Sequence, residues 1–435
     1  MNRQILRLAL PNIVTNITVP LLGMVDLALM GHLSDEKYIG AIAVGGMIFN
    51  FLYWGLGFIR MGTTGFTAQA YGRGDPEESF HTLARAFVIG VAAGLLLGVL
   101  QGPVAWLSFA IINGSKEVEE LAGSYFYIRI FAAPAVIGLY AINGWFIGMQ
   151  NARIPMVLAL VVNLLNIGFN LLFVRYFHMN SDGVALGTLI AQYGGLLLGA
   201  WFFMKRHRNL LEMYDRTKVF RAEKLKSFFR VNRDIFIRTL CLIFVFSFFT
   251  ARSAVINDTI LAVNTLLLQF LLFFSFFQDG FAYAGEALTG RFTGAGDTHR
   301  LKLMVRRLFT WGAVISLVFT LAYVLFPKAI LYVLTNNREV ITASQPYIKW
   351  VFLVPVVSFS AFLWDGIYIG ATASSAMRNA MLLSTLAVFI PSWYVLDKLF
   401  GNHGLWLAML LFMAARGASL TVLYTRAVIN RASGS

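Results

Sequence analysis

Charge is scarce in this chain. Only 13% of its 435 residues are Asp, Glu, Lys or Arg, about half the share of a soluble domain, which argues against an ordinary water-soluble globule. Cysteine is scarcer: Cys241 stands alone in an apolar run, so there is no internal disulfide framework, and the residue says little about redox compartment. The six histidines (32, 81, 178, 207, 299 and 403) fall in loops or at the ends of apolar runs, never paired at metal-ligand spacing. The GRGD and GAGD segments are loop turns rather than phosphate cradles, and no Walker sequence is present to couple ATP. An integral-membrane enzyme would need convergent His, Glu or metal ligands near an interface, and these are missing.

What the chain does have is apolar length. Hydrophobic residues make up 58% of it, in blocks of about the 20 residues that match a bilayer core. Bounded by Gly, Pro and charged turns, the blocks fall near 8–31, 39–63, 84–112, 125–149, 155–175, 183–204, 235–256, 260–284, 304–326, 345–370, 378–399 and 404–425. Each reads as a helix by length, so the expected fold is all-α and membrane-embedded, with about twelve spans. The first block has a basic start but no small-residue cleavage site, and its apolar run continues to Met30; it reads as a span rather than a removed leader.

The net charge of +14 is unevenly spread. With the N-terminus inside, one set of loops collects Arg3, Arg7, Arg73, Arg85, Arg153, Arg300, Lys302, Arg306 and Arg307, and also the segment Lys205–Arg233 with ten Lys or Arg. The opposite loops hold mainly Lys37, Lys116, Lys328, Arg338 and Lys398. Positive loops stay cytoplasmic, so both termini are expected there. Topology and anionic lipid account for the excess charge without any nucleic acid.

The chain also repeats itself. TAQAYGRGDPEESFHTLARAF (67–87) aligns with TGRFTGAGDTHRLKLMVRRLF (289–309) at an offset of 222, matching Gly72 to Gly294, Gly74 to Gly296, Asp75 to Asp297 and Arg85 to Arg307. At that offset NGWFIG (143–148) meets DGIYIG (365–370), and Tyr125 meets Tyr347. Six spans return a chain to its starting side, so the halves are parallel repeats. The expected organisation is a lobe at 1–204, a basic linker at 205–233 and a second lobe at 234–435, an arrangement that suggests a transporter.

Polar residues inside the spans are the candidate site. Asp26, in PLLGMVDLALMGH, is a carboxylate several kcal/mol expensive to ionise in hydrocarbon, so it faces protein or a water-filled cavity and can exchange a proton near neutral pH. Asn12, Thr15, Val19 and Asp26 share one helix face, and Pro11 and Pro20 each remove a backbone donor and invite a bend. In VVNLLNIGFNLLF, Asn163, Asn166 and Asn170 are spaced i, i+3, i+7 on one face; such a stripe either glues helices together or serves a site. Asp26, Asn170 and Thr188 fall at a similar depth, roughly 10 Å from the outer end of their spans at about 1.5 Å per residue. Asn143, expected in one supporting polar network with Asn163, Asn166, Asn170 and Thr188, and its repeat partner Asp365 fall near inner span ends, Asp365 as either a second acidic site or a helix-end group. Arg60 and Asp279 are placed towards cytoplasmic span ends, either meeting as an inner gate or snorkelling to the interface. The Phe-rich runs FVFSFFTAR (244–252) and LLLQFLLFFSFFQDGF (266–281) either fill core and lipid-facing positions or line a greasy pocket for amphiphilic cations.

These features together resemble the multidrug and toxic compound extrusion (MATE) transporters. The stretches FIRMGTTGFTAQAYGRGD (58–75), NRDIFIRTLCL (232–242), DGFAYAGEALTG (279–290) and DGIYIGATASSAMRN (365–379) are similar to the DNA-damage-inducible (DinF) branch. The resemblance covers essentially the whole chain. It implies V-shaped lobes working by alternating access, and secondary antiport that moves drugs or toxic metabolites outward in exchange for a cation. It also implies a multi-pass protein of the bacterial cytoplasmic membrane acting as a monomer, with no cofactor and no enzymatic activity. Asp26 matches the first-span aspartate carried as the proton site, Pro11 the proline at which that helix bends, and Asn166 a fifth-span amide of the same network. Asn170 departs from relatives with aspartate there, which favours H⁺ over Na⁺ as the coupling ion. A lipid-precursor flippase of the same superfamily would be expected to show a large cationic cavity, for which Arg60, Arg129 and Arg252 are few.

Overall fold

The computed structural model describes residues 1–30, 36–111 and 116–434, apart from the side chains of 19–30, Glu36 and Lys37. Its first half contains α1 (Asn2–Met30), α2 (Glu36–Leu56), α3 (Phe58–Arg73), α4 (Pro76–Val99), α5 (Gln101–Ile111), α6 (Lys116–Arg129), α7 (Ala133–Gly148), α8 (Arg153–Leu171), α9 (Ser181–His207) and α10 (Arg216–Val219). The second half contains α11 (Ala222–Ile256), α12 (Asp258–Gly294), α13 (Thr298–Leu325), α14 (Pro327–Leu334), α15 (Arg338–Ser344), α16 (Ile348–Gly370), α17 (Ser374–Leu382), α18 (Ile390–Phe400), α19 (Asn402–Tyr424) and α20 (Asn430–Ser433). No strand occurs among the described residues.

Eleven helical stretches among the described residues are long and apolar enough to cross a bilayer. α1, the expected first span, is only partly inside the described side chains and is not among the eleven. The protein is an all-helical, multi-pass membrane protein.

Several spans run further than their apolar blocks. The block expected at 39–63 continues as α2 and α3 to Arg73. Hydropathy lost this end because Thr63, Thr64 and Thr67 are buried against protein rather than lipid. Two of them are neutralised by their own helix: Thr63 Oγ1 donates to the Ile59 carbonyl (2.6 Å) and Thr64 Oγ1 to that of Arg60 (3.0 Å).

The chain divides into two compact units, Val14–Phe229 and Met1–Ile13 with Arg230–Ser435. One boundary cuts α1 between Ile13 and Val14, two residues past Pro11. The other lies inside α11, so the linker up to Phe229 belongs to the first of these units. Arg85 fastens it there, its Nε donating to the Val219 carbonyl at 2.8 Å.

The repeat reappears as backbone geometry. Gly74 and Gly296 close α3 and α12 at φ 70° and 67°, where glycine carries no Cβ penalty. The next residue, Asp75 or Asp297, then caps the following helix, its Oδ1 accepting from Glu78 N (2.9 Å) or Arg300 N (2.8 Å). Gln150 and Thr372, also 222 apart, share positive φ, and the Asn151–Phe146 and Ala373–Tyr368 backbone bonds that close these turns are both 2.9 Å. Gly144 lies against the Arg60 carbonyl and Gly366 against that of Ala282, so a side chain at either would push two helices apart.

Candidate functional site

In the Val14–Phe229 unit a directed chain of neutral groups runs through the interior between α8 and α9. α8 presents three amides on one face because 3.6 residues make a turn. Asn170 Nδ2 donates to Asn166 Oδ1 (2.8 Å), and Asn166 Nδ2 donates to Thr188 Oγ1 on α9 (2.8 Å). Thr188 in turn donates to the Val184 carbonyl (2.9 Å). Asn166, Asn170 and Thr188 are all buried. Asn163 lies apart from this chain: its Nδ2 donates to the Thr18 carbonyl on α1 (3.1 Å). Gly187 makes room for the amides, since a Cβ there would overlap Asn170 Oδ1.

The side chains of Asp26 and Pro20 lie outside the described residues. Pro11 sits within the continuous helix α1, and Asn12 donates back to the Leu8 carbonyl at 2.9 Å. Asn143 does not join the α8–α9 chain. It is half-buried on α7, and among the described residues its Oδ1 has no hydrogen-bond partner.

In the unit containing Arg230–Ser435, the polar interior is ionic. Asp365 is buried on α16, and its Oδ2 accepts from the guanidiniums of Arg238 on α11 and Arg416 on α19, the latter at 2.8 Å. It is therefore an ion-paired group in the helix interior, not a helix-end group. Arg416 also lies 3.1 Å from Met413 Sδ. Further along α11, Asp234 is buried against Arg378 (2.6 Å) and accepts from Ser374 Oγ (3.0 Å). A separate buried network joins Asn264 to Ser253 Oγ, Asn402 and Trp406 Nε1 within 3.1 Å.

Arg60 and Asp279 fall in different units, and neither sits at the C-terminal end of its span. Arg60 precedes Arg73, the end of α3, by 13 residues, about 20 Å of helix. Asp279 precedes Gly294 by 15 residues, about 22 Å. Both spans outrun the apolar blocks from which their depth was inferred. Arg129 and Arg252 are engaged locally, Arg129 with Tyr125 and the Phe49 ring, and Arg252 with Asp397 at 3.2 Å. Arg238 and Arg416 are partners that sequence reasoning missed. The signal for Arg416 was present, an arginine in the apolar run LLFMAARGASLTVLY.

An all-helical, multi-pass membrane fold with a 222-residue internal repeat, and polar groups held inside each unit, is the architecture of a transporter class of protein. The MatE family model matches residues 11–172 and 235–395, and the chain belongs to that family of multidrug and toxic compound extrusion transporters. It is similar to the DNA damage-inducible protein F of Escherichia coli, 38% identical over 96% of this chain and 91% of that one, which puts it in the DinF-like branch. It is also 25% identical to a probable multidrug resistance protein NorM of Rhizobium meliloti, covering 95% and 91% of the two chains. A crystal structure of MATE in the bent conformation shares the fold, with a TM-score of 0.89, 17% identity, and coverage of 100% and 97%.

Proposed function

We propose that this protein is a secondary antiporter that exports amphiphilic, cationic organic compounds in exchange for protons by alternating access. The observation that carries the reading is the neutral, directed chain Asn170–Asn166–Thr188 in the unit that also holds the Asp26 stretch of α1. Asn163 ties α8 to the Thr18 carbonyl, eight residues and about 12 Å of helix before Asp26. On this reading Asp26 is the titrating group. Protonation removes its charge, alters what it accepts from its neighbours and lets α1 bend at Pro11 and Pro20. The repacked cavity expels the substrate, and proton release inward resets it.

The pairing of Asp365 with two guanidiniums supports H⁺ over Na⁺. That carboxylate already has its cations, which argues against it as the coupling acid and in favour of Asp26. The same reading puts both termini on the cytoplasmic side and makes a single chain the working unit.

Asp26→Asn in an efflux-deficient host tests it. The variant is expected to insert normally and to lose uncoupler-sensitive export of a fluorescent cation. In proteoliposomes a pH gradient alone is expected to drive wild-type transport. Drive by a Na⁺ gradient instead, or unchanged pH-dependent export by Asp26→Asn, overturns the proposal.

A further inference from the structure

Each unit contains a cationic cavity at the turn between two of its spanning helices, and the two cavities share two repeat-equivalent lining positions. The first, about 170 Å³, is lined by Gln69, Arg73, Glu78, Arg85, Lys224 and Ser227, with Phe66 and Phe228 stacked as its apolar wall, ring centroids 5.9 Å apart. The second, about 220 Å³, is lined by Gln4, Arg291 and Arg300 with Phe292 and Leu303. Adding the offset of 222 takes Gln69 to Arg291 and Glu78 to Arg300. It also takes Gln4 to Lys226, two residues from the Lys224 that lines the first cavity.

In the first cavity the charges exceed what the internal pairings use. Glu78 is met by Lys224 at 3.2 Å and by Arg85 at 3.7 Å. Arg85 spends its remaining donors on the carbonyls of Val219 and Lys218. Arg73 has no ion-pair or hydrogen-bond partner among the described residues, and Lys224, an ammonium with three donors, is only half-buried. Three cations against one carboxylate leave a surplus of two positive charges. The second cavity has no acidic residue in its lining, although Arg300 pairs nearby with Asp297 at 3.4 Å. A turn between two spans lies at the membrane–water boundary, where basic pockets meet anionic headgroups. At about 30 Å³ of liquid per water, each volume has room for a phosphate and its first ester.

We propose that both cavities bind a phosphate-bearing anion, taken either from the headgroup of an anionic phospholipid or from soluble phosphate. In the first cavity Arg73 and Lys224 supply the charge and the Ser227 hydroxyl donates a further bond; in the second Arg291 and Arg300 do so. Basic residues needed only to set topology would require no concavity. Here a basic concavity recurs at the equivalent turn of each unit, sharing positions 69/291 and 78/300.

The test is thermal unfolding of the purified full chain in a neutral detergent, titrated with short-chain phosphatidylglycerol, short-chain phosphatidylcholine or inorganic phosphate, with chloride matching the ionic strength. The anionic lipid is expected to raise the unfolding temperature and the zwitterionic lipid not to. Arg73→Gln/Lys224→Gln and Arg291→Gln/Arg300→Gln each weaken the response roughly tenfold, the loss of a charge-assisted hydrogen bond, and together abolish it. Stabilisation by inorganic phosphate as strong as by the lipid identifies a soluble ligand; stabilisation by the lipid alone identifies the headgroup. Should a double variant fail to fold, Ser227→Asp supplies a milder repulsive probe of the first cavity. No stabilisation by either anion, or an undiminished response in the combined variant, overturns the proposal.

Discussion

Position 143 is asparagine, and position 365, its counterpart 222 residues later, is aspartate. Asn143 is half-buried with an unpartnered carbonyl oxygen among the described residues, whereas Asp365 is buried between two guanidiniums. Around them the backbone is nearly the same, down to matching glycines and positive-φ turns. The two halves thus share a scaffold, while the surroundings of these two equivalent positions obey different electrostatics. A neutral chain such as Asn170–Asn166–Thr188 can exchange partners for the cost of a hydrogen bond or two. Separating Asp365 from its arginines would strand charge in a low-dielectric interior. Rearrangement is therefore cheap in the Val14–Phe229 unit and expensive around Asp365, which suits the former to a step that must cycle.

The largest expected effect breaks the ionic side of this comparison. Asp365→Asn leaves the guanidiniums of Arg238 and Arg416 without their carboxylate, and removal of one member of a buried pair costs about 3–5 kcal/mol. Thermal or denaturant unfolding of the purified protein measures it. The triple replacement Arg238→Met, Asp365→Leu, Arg416→Met removes every charge of the cluster and is expected to recover most of that loss. Equal losses in the single and triple variants would mean that shape, not charge, holds these helices together.

A smaller effect separates two neutral networks. Asn264 is a hub with bonds to Ser253, Asn402 and Trp406, while Asn166 links only Asn170 and Thr188. Interhelical hydrogen bonds in membranes contribute roughly 0.6 kcal/mol each, rarely above about 2. Asn264→Leu is therefore expected to destabilise by about 1–3 kcal/mol and Asn166→Leu by about half as much. Transport reverses the order: Asn166→Leu is expected to flatten the pH profile of efflux, and Asn264→Leu to leave its shape unchanged. A flattened profile in both variants would erase the functional distinction between the units.

Much of this architecture was legible because bilayers impose length. Apolar blocks located most spans, and the 222-residue offset located turns that share φ, caps and hydrogen bonds. The α8 stripe was legible for the same reason: i, i+3, i+7 puts Asn163, Asn166 and Asn170 on one face whatever lies opposite. Partners across helices were not legible. Nothing in the spacing of Asp365, Arg238 and Arg416 says that three helices bring them together, and an arginine with a carboxylate partner looks the same in sequence as one that snorkels. Depth failed where a helix end was buried in protein rather than lipid, as at Thr63 to Thr67, which is why Arg60 was placed too near an end. Asn143 was expected in the same polar network as the α8 amides, but α7 holds it outside the Asn170–Asn166–Thr188 chain.

Asn163 gives the smallest effect and the finest test. It stands on the α8 stripe yet bonds to the α1 backbone at Thr18 rather than to Asn166. Asn163→Leu forfeits one bond from a half-buried side chain, and the Thr18 carbonyl keeps access to its own helix, so stability is expected to fall by about 0.6 kcal/mol or less. If α1 moves against α8 during the cycle, the bond belongs to one state only, and its loss shifts the balance between states by that same small amount. Efflux by Asn163→Leu is then expected to change less than threefold, with an unaltered pH midpoint. A midpoint displaced as far as in Asn166→Leu would make Asn163 a working member of the proton-linked chain and extend that chain onto α1.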